Sequence, residues 1–520
     1  MLDLFCKVYA IGVIKMRKIS LSKKDKNLSV KTKVILITAA AVLLAAGIAV
    51  FVFLNTYHIY ETKIIKPTCE TKGYTESTCI YCGEINRTHY TEALGHDYGE
   101  YVLQSKPSEL EFGKKVKSCS RCSDTVTSYL EPTIEMKKFY YSGDAFKIDS
   151  DRVATGLLTY SYKGEKKDYY INLAYLDGSQ SKYIKHDYSI TFFNDKQQTE
   201  PVEVSFMDGV SPSHKWELYG NYYDYYNIRD AAASELYKQV RASSKVIDER
   251  LKDNYLDSKD EPVLFFMNES LVGVFRLTEP ARAETMNVSK KDKNCAIVRA
   301  VYADSQAYLK AETRENGTWK IKYNSDEENT EWVYESLNEL IRFVNENEGE
   351  DFKNGISKYL DVDGMIDYML TLYNTAAADN ITKGFTLATY DGKVWTPGLY
   401  DANYSFGMNT NGEISNLETV LAPSIEDGVI DPDCGSLLWE RMFESFYDEI
   451  KVRYNQLKST VFTPANVYSI FEKEKDKVPD YVYEAEKELY ALVDTETDLK
   501  ESLVSFMSER KNILEVFFEN

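Results

Sequence analysis

Residues 379–407 read DNITKGFTLATYDGKVWTPGLYDANYSFG. Two runs rich in β-branched and aromatic residues, 385–390 and 394–399, flank Asp391-Gly392. Asp-Gly between such runs is the strongest short-range hairpin signal, because a tight I′ turn needs positive φ at both central residues. An acid stands at each end: Asp379 before the hairpin and Asp401 after it. A hairpin returns the chain on itself, so both loop carboxylates can point into one cleft. Phosphoryl transfer uses that layout, with one carboxylate positioning the attacking hydroxyl and the other holding Mg²⁺ against the phosphates. Two loop acids beside a hairpin are more often simply solvated, so the spacing needs support from elsewhere in the chain.

Outward from this stretch the pattern is α+β. Residues 157–162, 169–175 and 188–193 are strand-like, and 263–267 and 271–277 flank Asn268-Glu269-Ser270 as a second hairpin. Residues 225–244 fit an amphipathic helix with Ile228, Ala232, Leu236 and Val240 on one face. Residues 331–347 and 364–378 also read as helices, the second capped by Asp361 or Asp363. From Gly435 onward the pattern is helical to the end, and Thr463-Pro464 opens one of those helices, since Pro suits a first turn.

Four stretches, in order, resemble the spore-coat protein H (CotH) kinase family. Residues 177–190, DGSQSKYIKHDYSI, look like the family's "RGNSS…KKxYxI" segment, and Asp224 to Asp230, DYYNIRD, like its "D…lRN" helix start. Residues 268–279, NESLVGVFRLTE, look like "NGxyxGvYxLxE". Asp379-Asn380 and residues 400–407, YDANYSFG, look like "DN…RN" and "WDxDxxFG". The match spans about 300 residues, and the helical tail with Trp439 also resembles the family. The resemblance implies an atypical protein-kinase-like fold binding ATP with Mg or Mn. By it, Asp379 is the catalytic-loop acid, and Asp401 and Asn403 are metal ligands. Lys185 is the cation near the phosphates, Glu279 lines the nucleotide site by pairing a Lys or touching nucleotide, and Arg229 belongs to the cofactor-binding set. The chain departs from the pattern at several points. Leu176 or Asp177 replaces the "RGNSS" arginine, His186 the second Lys, Gly384 the catalytic-loop Asn, Tyr400 the Trp and Asn403 the second acid. These losses keep a second expectation open: a catalytically degenerate kinase-like module that binds a cell-wall component. A glycan hydrolase is a weaker third idea, since no carboxylate pair has a telling spacing.

The N-terminal part sets an address. Residues 34–54, VILITAAAVLLAAGIAVFVFL, carry no charge and are long enough to span a bilayer once. The run lacks a small-residue cleavage site, so an uncleaved anchor is expected. Residues 1–33 hold nine basic residues against two acidic ones, a local +7, which leaves −27 of the net −20 beyond the leader. The positive-inside rule then predicts a cytoplasmic leader and an extracellular body from residue 55 onward. A more typical basic leader opens at Met16, a candidate translation start.

Between the apolar run and the body, over residues 58–130, two segments align at a period of 40: KPTCETKGYTESTCIYCGEI from Lys66 and KPSELEFGKKVKSCSRCSDT from Lys106. Pro67, Gly73, Cys79 and Cys82 match Pro107, Gly113, Cys119 and Cys122. Two C-x-x-C pairs suit a tetrahedral zinc ion. Cys69, Cys79, Cys82 and His96 are an alternative Cys₃His set, and disulfides are the other fate of thiols outside a cell. The segment resembles short C-x-x-C/"GH" repeats of Firmicutes surface proteins, which look like spacers near the wall. Residues 131–520 remain as the body. The acidity excludes a general nucleic-acid binder, which needs a basic face. Five His leave little for a His-based mechanism, and Cys295, in an apolar strand, reads as core rather than nucleophile. The partners expected are therefore ATP, a protein substrate or wall component, and a membrane.

Overall fold

The computed structural model describes residues 29–519 apart from 145–147, 149–152, 177–182, 246–247, 252–255, 257–258, 290, 410–411, 414–419, 427–428 and 491–498. Most of the basic leader and the residues 177–182 of the first family motif lie outside the described residues. The chain divides into two compact units, Met1–Gln104 with Lys114–Ser128, and Ser105–Gly113 with Tyr129–Asn520.

The first unit begins with helix α1 (Val30–Thr56), which extends the apolar run by a turn at its start and is capped by Ser29. It is long and apolar enough to cross a membrane. The period-40 repeat appears as two three-stranded sheets: β1 (Tyr60–Ile65), β2 (Gly73–Cys79) and β3 (Ile85–Thr91), then β4 (Val102–Ser105), β5 (Gly113–Ser118) and β6 (Thr125–Leu130). The matched glycines have a steric reason. A Cβ at Gly73 would lie 2.6 Å from the Pro67 ring, and one at Gly113 would lie 2.6 Å from Pro107.

The second unit is mixed α and β, as the sequence pattern requires. Its first half is a closed seven-stranded barrel. The strands are β7 (Lys138–Gly143), β8 (Ala154–Tyr162), β9 (Glu165–Tyr175), β10 (Tyr188–Phe193), β11 (Lys215–Tyr219), β12 (Asp260–Met267) and β13 (Ser270–Thr278), arranged β10-β11-β13-β12-β7-β8-β9. Alternation along β10 sends Tyr188, Ile190 and Phe192 inward, where they meet Phe139, Leu158, Trp216 and Phe265. Closure satisfies the strand edges, which an open aromatic-rich sheet would leave exposed. β12 and β13 form the expected hairpin, with Asn268 and Glu269 both at positive φ.

A four-stranded sheet follows, from β14 (Ala296–Ala300), β15 (Trp319–Asn324), β16 (Thr386–Thr389) and β17 (Trp395–Gly398), in the order β15-β14-β16-β17. β16 and β17 form the expected hairpin, in register Thr386–Gly398 to Thr389–Trp395, but the connection is the loop 390–394 rather than a tight I′ turn: only Gly392 has positive φ, and Asp391 accepts from the Lys393 and Val394 amides. A small ribbon, β18 (Ser424–Glu426) with β19 (Val429–Asp431), lies further on. The helices are α2 (Arg229–Ala242), α3 (Glu331–Glu346), α4 (Gly349–Gly355), α5 (Val362–Thr375), α6 (Leu437–Leu457), α7 (Pro464–Lys475), α8 (Asp480–Tyr490) and α9 (Leu499–Glu519). All but α8 share one core with the four-stranded sheet, including Leu236, Tyr368, Phe385, Trp395 and Trp439, whereas Val482 and Tyr483 of α8 pack with Tyr140, Leu264, Phe266 and Val274 of the barrel strands. Thr463 caps α7, with Pro464 in its first turn.

Helix α5 is held hard at both ends. Asp361 caps its start by accepting from the Gly364 amide at 3.0 Å. At its end the buried Arg510 donates from Nε to the Tyr373 carbonyl at 2.9 Å, where a cation suits the helix dipole. Arg241 donates to Asp361 and Asp367, and Arg453 to Asp367, locking α5 against α2 and α6. This rigidity matters because α5 delivers the chain to Asp379.

Candidate active site

Helix α5 stops at Ala376, which turns the chain at a φ of 52°. A short 3-10 turn, Ala378–Ile381, then carries Asp379. The β16–β17 hairpin leads away and back, and Asp401 stands just after β17. Asp379, Asp401 and Asn403 line one cavity of about 480 Å³. A smaller cavity of about 140 Å³ is lined by Glu279, Asp230 and Asp401. The two share Glu217, Tyr219, Arg299, Lys322 and Asp401, so they form one continuous cleft.

The loop from Tyr400 to Gly407 is bent and clamped. Asp401, Phe406 and Gly407 all have positive φ, a conformation costly for side-chain-bearing residues unless neighbours enforce it. The enforcement comes from the start of α2. Asp230 Oδ1 accepts from the Ala402 amide at 2.6 Å, and Arg229 Nη1 donates to the carbonyls of Ser405 and Phe406 at 3.0 Å each. Asp224 in turn accepts from the amides of Ile228 and Arg229 at 2.7 and 2.8 Å, ordering the first turn of α2. Asn403 donates to Asn221 at 2.9 Å, and Asn221 to Asn227 at 2.6 Å. The buried Asn380 donates to the Tyr400 carbonyl at 2.8 Å, which ties the two acid-bearing loops together.

The cleft is crowded with carboxylates. Asp401 is open to cleft water, yet protein surrounds it on most sides. That burial pushes its carboxyl up to about 6, Arg299 and Lys383 pull it down, and Asp379 and Glu217 push it up further. Burial also raises Asp187 to about 7, against the Gly220 amide at 2.6 Å, with the Asp401 charge adding to the rise. Asp230 is raised to about 7 for the same two reasons, burial and then Asp401. Asp379 is raised by burial, with Lys383 opposing. Four cations line the cavity with these acids: Arg299 from β14, Lys320 and Lys322 from β15, and Lys383 between the two acid loops. Oxygen donors packed against their mutual repulsion suit a hard divalent cation, which would relieve it.

The residues expected from sequence fall into two groups. Asp379, Asp401, Asn403 and Glu279 meet in the cleft. Glu279 is paired with Arg282, at 3.4 Å, where the sequence reading named a Lys. Lys185 and Arg229 do not line the cleft. Lys185 is buried in an ion pair with Glu486 of α8. Arg229 holds the Asp401 loop by two of its backbone carbonyls, while its Nε faces Asp224 at 3.9 Å, so it positions that loop from outside the cleft. Gly384, where the family has an Asn, sits at a φ of 98° and donates its amide to the Ala300 carbonyl at 2.8 Å. A side chain there would be strained, and its Cβ would lie 3.3 Å from Asn380 Nδ2.

The sequence reading missed Asp187, Glu217, Arg299, Lys322 and Lys383. Asp187 stands two residues after Lys185 inside a quoted motif, so the motif itself was the signal. Arg299 interrupts an apolar strand, the usual mark of a face turned to a site. Glu217 and Lys322 carried no local signal.

The cysteines are grouped differently from both sequence-level sets. Cys69, His96, Cys119 and Cys122 bring one donor atom each to within 4.8 Å of one another, and Cys79 and Cys82 cluster instead with His58. The set Cys69, Cys79, Cys82, His96 is thus split between two places. The reason is that residues 69 and 96 border the second copy, while the first C-x-x-C faces back toward β1.

A family model described as CotH kinase protein matches residues 163–514. Comparison with curated proteins gave no match.

Proposed function

The chain belongs to the CotH kinase family, and on that premise we propose that it is a protein kinase of the CotH type, taking ATP with Mg²⁺ or Mn²⁺ in the cleft. The observation that carries the reading is the meeting of Asp379 and Asp401, from opposite ends of the hairpin, in one cleft with four cations. A β-rich half followed by a helical half, with the cleft bordered by both, supports an atypical kinase-like fold.

Asp401 and Asn403, with Asp187 behind them, would hold the divalent ion, which when bound neutralises phosphate charge. Asp379 orients a Ser or Thr hydroxyl and accepts its proton, and its raised affinity for protons makes it a better base near neutral pH. The hydroxyl oxygen bonds to the γ-phosphorus as the bond to the β-phosphate oxygen breaks, and ADP leaves. Arg299, Lys322 and Lys383 offset the charge of the phosphates. Asp230 and Arg229 keep the Asp401 loop bent.

The apolar α1 and the +7 leader support an anchored protein with the body outside the cell, acting on surface or spore-coat proteins. The burial of Lys185 and the glycine at 384 favour the second reading, a binding module without turnover. Purified full chain in detergent decides between them. The kinase reading expects Mg–ATP to raise the melting temperature and radiolabel to pass from γ-labelled ATP to protein. Asp401→Ala should lose both effects, and Asp379→Asn only the transfer. No nucleotide-dependent shift with either metal refutes the kinase reading.

A further inference from the structure

The two cysteine clusters are copies of one another. His58 and His96 each precede by two residues a tyrosine on which they stack, Tyr60 at 5.8 Å and Tyr98 at 5.3 Å between ring centres. Tyr60 pairs with Cys79 and Tyr98 with Cys119 across the strands. The amide of Ile80 donates to the Ile59 carbonyl at 3.0 Å, and that of Ser120 to the Asp97 carbonyl at 2.8 Å. Each repeat therefore folds a histidine strand onto its own C-x-x-C turn.

They differ in one ligand. The second cluster contains Cys69, contributed by the first copy, and the first cluster has no counterpart to it among the described residues. The position matching Cys69 in the second copy is Glu109. A repeat thus offers a cysteine forward to the next C-x-x-C, and the array ends where Glu109 replaces that cysteine.

Two of the separations match those around a tetrahedral ion, and all four donor atoms lie within 4.8 Å of one another. Two thiolates on zinc stand about 3.8 Å apart, and a thiolate and an imidazole nitrogen about 3.5 Å apart, given the usual zinc–ligand bond lengths. Cys69 Sγ lies 3.8 Å from Cys119 Sγ, and Cys122 Sγ lies 3.5 Å from His96 Nδ1. The amides of Asp97 and Arg121 both point at Cys119 Sγ at 3.4 Å, as a metal-bound thiolate requires. His96 Nε2 faces Glu70 at 3.7 Å, the outer carboxylate that commonly orients a ligating imidazole. Asp124 is also near, 3.6 Å from Nδ1.

We propose that Cys69, His96, Cys119 and Cys122 bind one structural zinc ion that joins the two repeats. His58, Cys79 and Cys82 form the same site one ligand short, which holds metal more weakly. This site is independent of the kinase reading.

The test uses the full chain purified in detergent without chelator. One zinc per chain is expected to survive gel filtration, measured by elemental analysis. Cobalt exchanged into the protein should show the strong visible absorption of tetrahedral thiolate coordination. Cys69→Ser and Cys119→Ser should each lose the retained zinc, while Cys82→Ser should keep it. The proposal is overturned if the wild-type chain is zinc-free with a Cys69–Cys119 disulfide by mass spectrometry. It is equally overturned if Cys82→Ser loses the retained zinc, or if two ions are held with equal strength. The metal content and cobalt spectrum of the wild type decide the matter even where a variant fails to fold.

Discussion

Replacing Lys185 separates two roles that the family resemblance and the tertiary structure assign to it. If it stands at the phosphates, Lys185→Met lowers ATP affinity and hardly touches the nucleotide-free protein. The structure expects the opposite. Lys185 and Glu486 are 3% and 4% exposed and face each other directly. Glu486 Oε2 also accepts from the Val274 amide at 3.1 Å, and the ammonium lies 5.1 Å over the Phe275 ring. Lys185→Met leaves the Glu486 charge buried and unpaired, at a cost of about 3–5 kcal/mol. At about 2 °C per kcal/mol for a unit of this size, the apo melting temperature should fall by about 6–10 °C. Adding Glu486→Gln removes the orphaned charge and keeps an acceptor for Val274, so the double variant should recover most of the loss. Melts of the wild type, Lys185→Met, Glu486→Gln and the double variant without nucleotide, then with Mg–ATP, make the measurement. The double variant should show the wild-type ATP shift. The reasoning is refuted if Lys185→Met melts with the wild type while its ATP shift disappears.

Other expectations follow from the same site. Arg229→Lys cannot span the Ser405 and Phe406 carbonyls with a single ammonium, so it should cost about 1–3 kcal/mol in the apo protein and weaken Mg–ATP binding, both read by thermal melts. Gly384→Asn restores the family residue but at a φ of 98°; it should destabilise by about 1–2 kcal/mol and give no tighter Mn–ATP binding by calorimetry. Burial and Asp401 raise Asp187 and Asp230 to about 7, whereas unfolded aspartates titrate near 4. The folded protein holds these protons, so the stability they lend is full in acid and is lost as pH rises through about 7. In chelator the melting temperature should therefore drop from about pH 5 to about pH 8 by way of Asp187, near Lys185, and Asp230, near Asp260 and Arg276. Mn²⁺ should restore it at the alkaline end, while in acid Asp401, raised to about 6, becomes protonated and Mn²⁺ loses its effect.

Local signals carried much of this. The Asp-Gly signal placed β16 and β17, and the cap of α5 was legible only as Asp361 or Asp363, of which the structure takes Asp361. The repeat was visible as a period of 40, and its matched glycines proved to be points of close approach to proline. Arg229 and Asp230 were legible as a motif but not as a clamp, because their partners are backbone groups on a loop distant in sequence. His58 escaped notice because it precedes the aligned segments, and its 3.3 Å approach to Cys82 and its stacking on Tyr60 are what relate it to His96.

Sequence alone determined whatever depends on neighbours along the chain: the apolar run, the strand and helix periods, the hairpin between Asp379 and Asp401, and the order of the motifs. Tertiary structure decided which charges share a space. Burial of a charge needs an opposite charge or a fixed donor beside it, and that partner can come from any element the core packs nearby. Glu486 of α8 therefore holds Lys185 away from the cleft, while Arg299 and Lys322, on strands with no motif, face the carboxylates. Cys69 likewise joins the second C-x-x-C because the fold of the repeat brings it there.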